Sequence, residues 1–197
     1  MESGSVTFTV DDLFGLCELV SEAWLSAADA DWSVNAGTVD WSCLHTADHA
    51  VDCVYAPAFF LASRRTDRYP QIGLDLTLGD RATPELLVES LGIASHLLAG
   101  VVRDAPPDTE AVIFSPPRLL TAGPRDFVPR AALELALHAH DVCLGLGVPF
   151  EMDPESARRL VEHTLPWLMW TVIWDPPTLT GDPWGDLLRA SGRLNDS

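Results

Sequence analysis

The chain contains no lysine: all twelve of its basic residues are arginine, set against 29 acids, for a formal charge of -17 over 197 residues. A surface so poor in cations excludes nucleic acid and anionic membrane as expected partners, since both require a dense positive face. The missing lysine reads as the bias of a GC-rich genome and carries no chemistry of its own. Paired cysteines are also missing. Cys17, Cys43, Cys53 and Cys143 show no C-x-x-C spacing. No basic stretch followed by an apolar one opens the chain, so a cytoplasmic protein with free thiols is expected. No transmembrane span is expected either, because the most apolar stretch, Leu165 to Trp174, is closed off by His163 and Asp175. That falls well short of the roughly 18 residues a membrane helix needs.

What the chain does have is apolar content, 47% of its residues, enough for one sizeable core and hence a single domain over 1–197. The apolar residues recur at helical intervals. Leu13, Leu16, Leu19, Val20, Ala23 and Trp24 predict a first helix over Val10 to Ala28, and Ser42 is a cap for a second running toward Arg64, kinked at Pro57. Thr83-Pro84-Glu85 opens a third helix. A fourth runs from about Arg130 to Leu144 and stops near Gly145 and Gly147. Asp153-Pro154-Glu155 starts a fifth that continues through Trp167 with a kink at Pro166. Between the third and fourth helices, prolines at 106, 107, 116, 117, 124 and 129 demand a long non-helical connection. The alternation Leu74-Asp75-Leu76-Thr77-Leu78 reads as an extended crossover, and the tail beyond Asp175 as an apolar strap holding Trp184, Leu187 and Leu188. Sheet content should be minimal.

Chemistry concentrates on the second and fourth helices. Glu134 and His138 are four residues apart, so both project from one helical face and can converge on a cation. They sit among Ala131, Ala132, Leu133, Leu135, Ala136 and Leu137, where a core-facing carboxylate needs a positive partner. Arg130, one turn earlier, can be that partner, or can anchor a substrate carboxylate with its planar fork. Asp141 can orient His138, although a solvated acid on the helix face is the more economical account. A third ligand comes from His49 or His45, one turn apart, between which spacing does not choose. Cys53, one turn beyond His49, can add a sulfur, with small-core filler the plainer role. His140 points away from His138. His96 and His163 read as satisfied or exposed imidazoles, and Trp167, Trp170 and Trp174 as core.

The order Trp41-Ser42, His49, then Glu134-x-x-x-His138-x-x-Asp141 resembles the pattern of the DinB-like superfamily, specifically the metal-binding domain of mycothiol-dependent maleylpyruvate isomerases. The resemblance extends from the first helix through Leu146-Gly147-Val148-Pro149. It implies an all-α fold, a four-helix bundle of DinB-like type with a long crossover and an additional C-terminal helix. It also implies a divalent ion, most often zinc, on His49, Glu134 and His138, which selects His49 over His45. The cosubstrate it implies is a low-molecular-weight thiol, mycothiol in GC-rich actinobacteria, and the partner a small electrophilic molecule; a homodimer is compatible with it. A metal at an open position favours thiolate over thiol, giving thiol transfer or thiol-assisted isomerisation, with Arg130 and Asp141 assisting. The sequence ends soon after the fifth helix, without the further C-terminal domain of the isomerases, which argues against maleylpyruvate as substrate. Two rival functions use the same residues: a metal-stabilised bundle that only binds a partner, and a two-histidine-carboxylate iron site.

Overall fold

The computed structural model describes residues 7–37, 39–72, 77–115, 118–167 and 169–194. Seven helices and one two-stranded sheet are present among them, so the fold is mostly helical, as expected. Helix α1 (Val10–Ser26) starts in a capping box, in which Thr9 and Asp12 satisfy each other's orphan backbone donors. Helix α2 (Cys43–Ser63) is capped by Ser42, whose hydroxyl accepts from the His45 backbone N–H, and it contains Pro57 without ending there. Helix α3 (Pro84–Asp104) begins at the predicted Thr83 cap. Helix α4 (Phe127–Leu146) begins three residues earlier than its periodicity suggested, because Pro129 falls in the first turn, where a missing N–H costs nothing.

Helix α2 packs against both α3 and α4, and α1 against the same two. Their shared core includes Leu13, Val20, Trp24, Val51, Val54, Leu91, Leu98, Leu133 and Leu137. Helix α3 is the one described helix long and apolar enough to cross a membrane by length and composition; its Leu87, Leu91, Ala94 and Leu98 are buried within the protein. The crossover into α3 is tied back to α2 by Asp48, which accepts from the backbone N–H groups of Leu78 and Gly79, both at 2.9 Å. Of the 74–78 alternation, residues 74–76 lie outside the described residues.

The proline-rich connection is not structureless. It carries a hairpin, β1 (Ala111–Phe114) antiparallel to β2 (Leu120–Ala122), with an irregular register between Val112 and Phe114. All of β1 is buried, and the Val112 N–H donates to the Arg65 carbonyl just past α2. Helix α5 (Pro154–Thr164) ends before Pro166 instead of kinking through it, since the ring removes a donor and clashes with the preceding turn. A short α6 (Met169–Val172) follows. The expected strap is partly a helix, α7 (Pro183–Ala190), which buries Trp184, Leu187 and Leu188 and packs on α5. Helix α4 stops where expected, with Gly147 as its left-handed cap; Gly145, in its last turn, is a close-approach position, where a Cβ would come within 2.3 Å of the Asn35 carbonyl oxygen.

Candidate metal centre

His49 and Cys53 stand four residues apart on one face of α2, and His138 faces them from α4. The His49 and His138 rings meet edge to face with centroids 5.0 Å apart. One ligand atom from each of His49, Cys53 and His138 lies within 4.8 Å of the other two, the one such cluster among the described residues. His49 Nε2 and Cys53 Sγ are 3.5 Å apart. All three side chains are partly buried. Burial holds the His49 imidazole below its ordinary pKa, reinforced by the neighbouring His138, which favours the neutral form, the one able to ligate a cation. Burial also pushes the Cys53 thiol well above its usual range, and Glu134 adds to that.

Glu134 adjoins the cluster and divides its two oxygens. Oε1 accepts from Arg130 Nη1 at 2.8 Å, while Oε2 lies 3.6 Å from His138 Nε2. Arg130 therefore does pair with Glu134, and its guanidinium carbon also stands 4.7 Å above the Phe114 ring. The hairpin hidden among the prolines is what delivers Phe114 to this place. Tyr69, stacked on Phe60, accepts from the Ser115 N–H at 2.8 Å and fixes the end of β1 beside Arg130.

On the other side of His138, Nδ1 is buried without a hydrogen bond and lies 3.6 Å from Asp141 Oδ2. Asp141 is not the solvated helix-face acid that economy suggested. It is 1% exposed and is gripped by Arg193, whose Nε donates at 3.0 Å and Nη2 at 2.8 Å. Burial pushes the Asp141 carboxyl up, but His138 and Arg193 outweigh it and hold the group below the ordinary carboxylate range. Arg193 was missed because nothing in local spacing marks it; it lies 52 residues from its partner, in the turn after α7.

Trp41 closes the outer side, 44% exposed. Its ring meets His45 at 4.7 Å and His49 at 5.2 Å, both edge to face. Backbone bonds from Ala36 N–H to the Trp41 carbonyl and from Cys43 N–H to the Val34 carbonyl hold it there. His45 is exposed and outside the cluster. The remaining histidines are occupied elsewhere: His140 beside Trp184, His96 tilted against Phe14, and His163 paired with Asp126 at 2.9 Å. All four cysteines are free thiols; burial pushes those of Cys17 and Cys143 up to about 12.

No family model, curated protein or solved structure matches the chain.

The donors fit a borderline divalent cation. Neutral imidazole, carboxylate and thiolate sulfur are the ligand types zinc takes. A histidine whose far nitrogen faces a buried carboxylate is the usual way a protein fixes the orientation of such a ligand. His138 faces such a carboxylate, with Nδ1 toward Asp141 and Nε2 toward Glu134.

Proposed function

We propose that the chain is a divalent-metal-dependent enzyme of the DinB-like four-helix bundle type, using a low-molecular-weight thiol, with mycothiol as the candidate, on a small electrophilic substrate. His49, Glu134 and His138 would hold the ion, zinc by preference of the donor set. The observation that carries this reading is the meeting of two imidazoles from separate helices beside a partly buried carboxylate. When bound, a divalent cation would favour the thiolate form of a thiol at neutral pH and so supply a nucleophile.

The chain's own groups have definable parts in such a reaction. Asp141, 3.6 Å from Nδ1 of His138, would favour a proton on that nitrogen and so leave Nε2 available, while Arg193 keeps Asp141 in place. Arg130 orients Glu134 through Oε1 and leaves Oε2 free of that bond. Trp41 offers an exposed aromatic wall at the outer side, against which a small unsaturated substrate can pack. Transfer and isomerisation share the first event, attack of the thiolate on an electrophilic carbon, and differ in whether the thiol is later eliminated.

The test is thiol consumption by the zinc-loaded full chain against a panel of electrophiles, comparing mycothiol with glutathione and cysteine. The reading expects turnover with at least one electrophile and its loss in His138→Ala. A metal-loaded, folded protein that consumes no thiol with any of them would overturn the enzymatic part. A second reading, an ion that merely ties α2 to α4, is favoured by Cys53, because a fourth protein donor closes the coordination sphere.

A further inference from the structure

We propose that Cys53 is a thiolate ligand of this centre, filling the position that a two-histidine, one-carboxylate set leaves open. The inference rests on the metal reading above and specifies the donor set that reading leaves incomplete.

Three observations carry it. First, Cys53 shares a helical face with His49, so α2 presents a nitrogen and a sulfur as one rigid pair. The other pair, Glu134 and His138, has the same four-residue spacing on α4. Second, the two separations, one within each helix pair, match the edges of a tetrahedral site. With metal–nitrogen or metal–oxygen bonds of about 2.0–2.2 Å and a metal–sulfur bond of about 2.3 Å, the edges of a tetrahedron are roughly 3.3–3.6 Å. His49 Nε2 to Cys53 Sγ is 3.5 Å, and His138 Nε2 to Glu134 Oε2 is 3.6 Å. The ligand atoms of His49, Cys53 and His138 all lie within 4.8 Å of one another, and Glu134 reaches this group through His138. Third, Cys53 is the one thiol of the four that stands within the ligand cluster, the other three being buried outside it. Cys43 illustrates the contrast, with its sulfur directed at the Val142 carbonyl oxygen at 3.6 Å.

The step balances simply. The Cys53 thiol gives its proton to solvent as the metal–sulfur bond forms, and no electron is transferred. The centre then has four protein donors, so a thiol acting there has to displace one of them. Cys53 is the donor with the same chemistry as the incoming group.

Cobalt(II) titration of the full chain tests this, because a cobalt–thiolate bond produces an intense near-ultraviolet charge-transfer absorption that imidazole and carboxylate do not. The expected result is one cobalt per chain with that absorption in the wild type. In Cys53→Ala the absorption should vanish and cobalt affinity should fall by at least the roughly 10- to 100-fold that loss of an outer-shell partner costs. Cys53→Ser, close in size to the native residue, should also lack the absorption, and circular dichroism confirms that each variant is folded. Stoichiometric cobalt without the absorption in the wild type would overturn the Cys53 assignment and leave the histidine–carboxylate site standing. Failure of the wild type to bind cobalt at all would overturn the metal reading together with it.

Discussion

Helices α4 and α5 both carry charged residues at three- and four-residue spacing, and the two rows behave differently. On α5, Arg158, itself half-buried, reaches the exposed Glu155 at 2.7 Å and Glu162 at 2.8 Å. Such pairs are screened and satisfied within one helix. On α4, Arg130, Glu134, His138 and Asp141 form a similar row, yet Arg130, His138 and Asp141 each take a partner from elsewhere. Phe114 lies under Arg130, His49 and Cys53 face His138, and Arg193 clamps Asp141. Spacing is thus shared by a solvated face and a candidate centre. What separates them is burial, which makes an unpaired charge expensive and so recruits distant groups.

The largest expected effect breaks the buried row at its most enclosed point. Arg193→Met leaves the buried Asp141 carboxylate without its guanidinium and with only His138 beside it, and should cost about 3–5 kcal/mol in a urea melt. Adding Asp141→Leu to remove the stranded charge should recover much of the loss. If Arg193→Met alone is neutral, the clamp is not what holds Asp141. A smaller cost is expected where α4 meets the 35–36 backbone. Gly145→Ala forces a Cβ against the Asn35 carbonyl, and overpacking of this kind costs about 1–3 kcal/mol. An unchanged melt would mean that the two segments separate freely.

Much of the helical frame was legible because its signals are local. The Ser42, Thr83 and Asp153 caps lie where the sequence puts them, and each side chain accepts from the third residue on. The pairing of Arg130 with Glu134 was likewise open to a reader of spacing. The hairpin was hidden because six prolines argue against helix without arguing for any strand, and β1 gains its stability from burial and from Arg65, not from alternation. Asp141 was misjudged for a related reason, as its partner sits in a tail whose path no local pattern fixes. Cys53 was visible as His49's neighbour, but only the approach of α4 distinguishes it from the other small core residues.

Acid sharpens the comparison further. Arg159 reaches from α5 to Asp12 on α1, with Nε 3.1 Å from Oδ1. Burial pushes the Asp12 carboxyl up, but the Arg159 and Thr9 hydrogen bonds outweigh it, so the folded-state pKa lies below the ordinary 3.8. A depressed carboxylate contributes stability that is full above its unfolded pKa and lost as pH falls through the folded value. Asp12→Asn should therefore destabilise the protein at neutral pH and flatten the decline in melting temperature below about pH 4. An acid limb as steep as the wild type's would exclude this pair as a contributor. At the small end, Glu162→Ala on the solvated row should leave the urea midpoint unchanged within error. A clear shift there would erase the distinction between the two helices.

The metal content of the purified full chain bears most directly on the central claim, measured by elemental analysis for wild type, His49→Ala and His138→Ala, each checked for folding. About one zinc per chain in the wild type and little or none in either variant is the predicted result. Equal, substoichiometric metal in all three would contradict it.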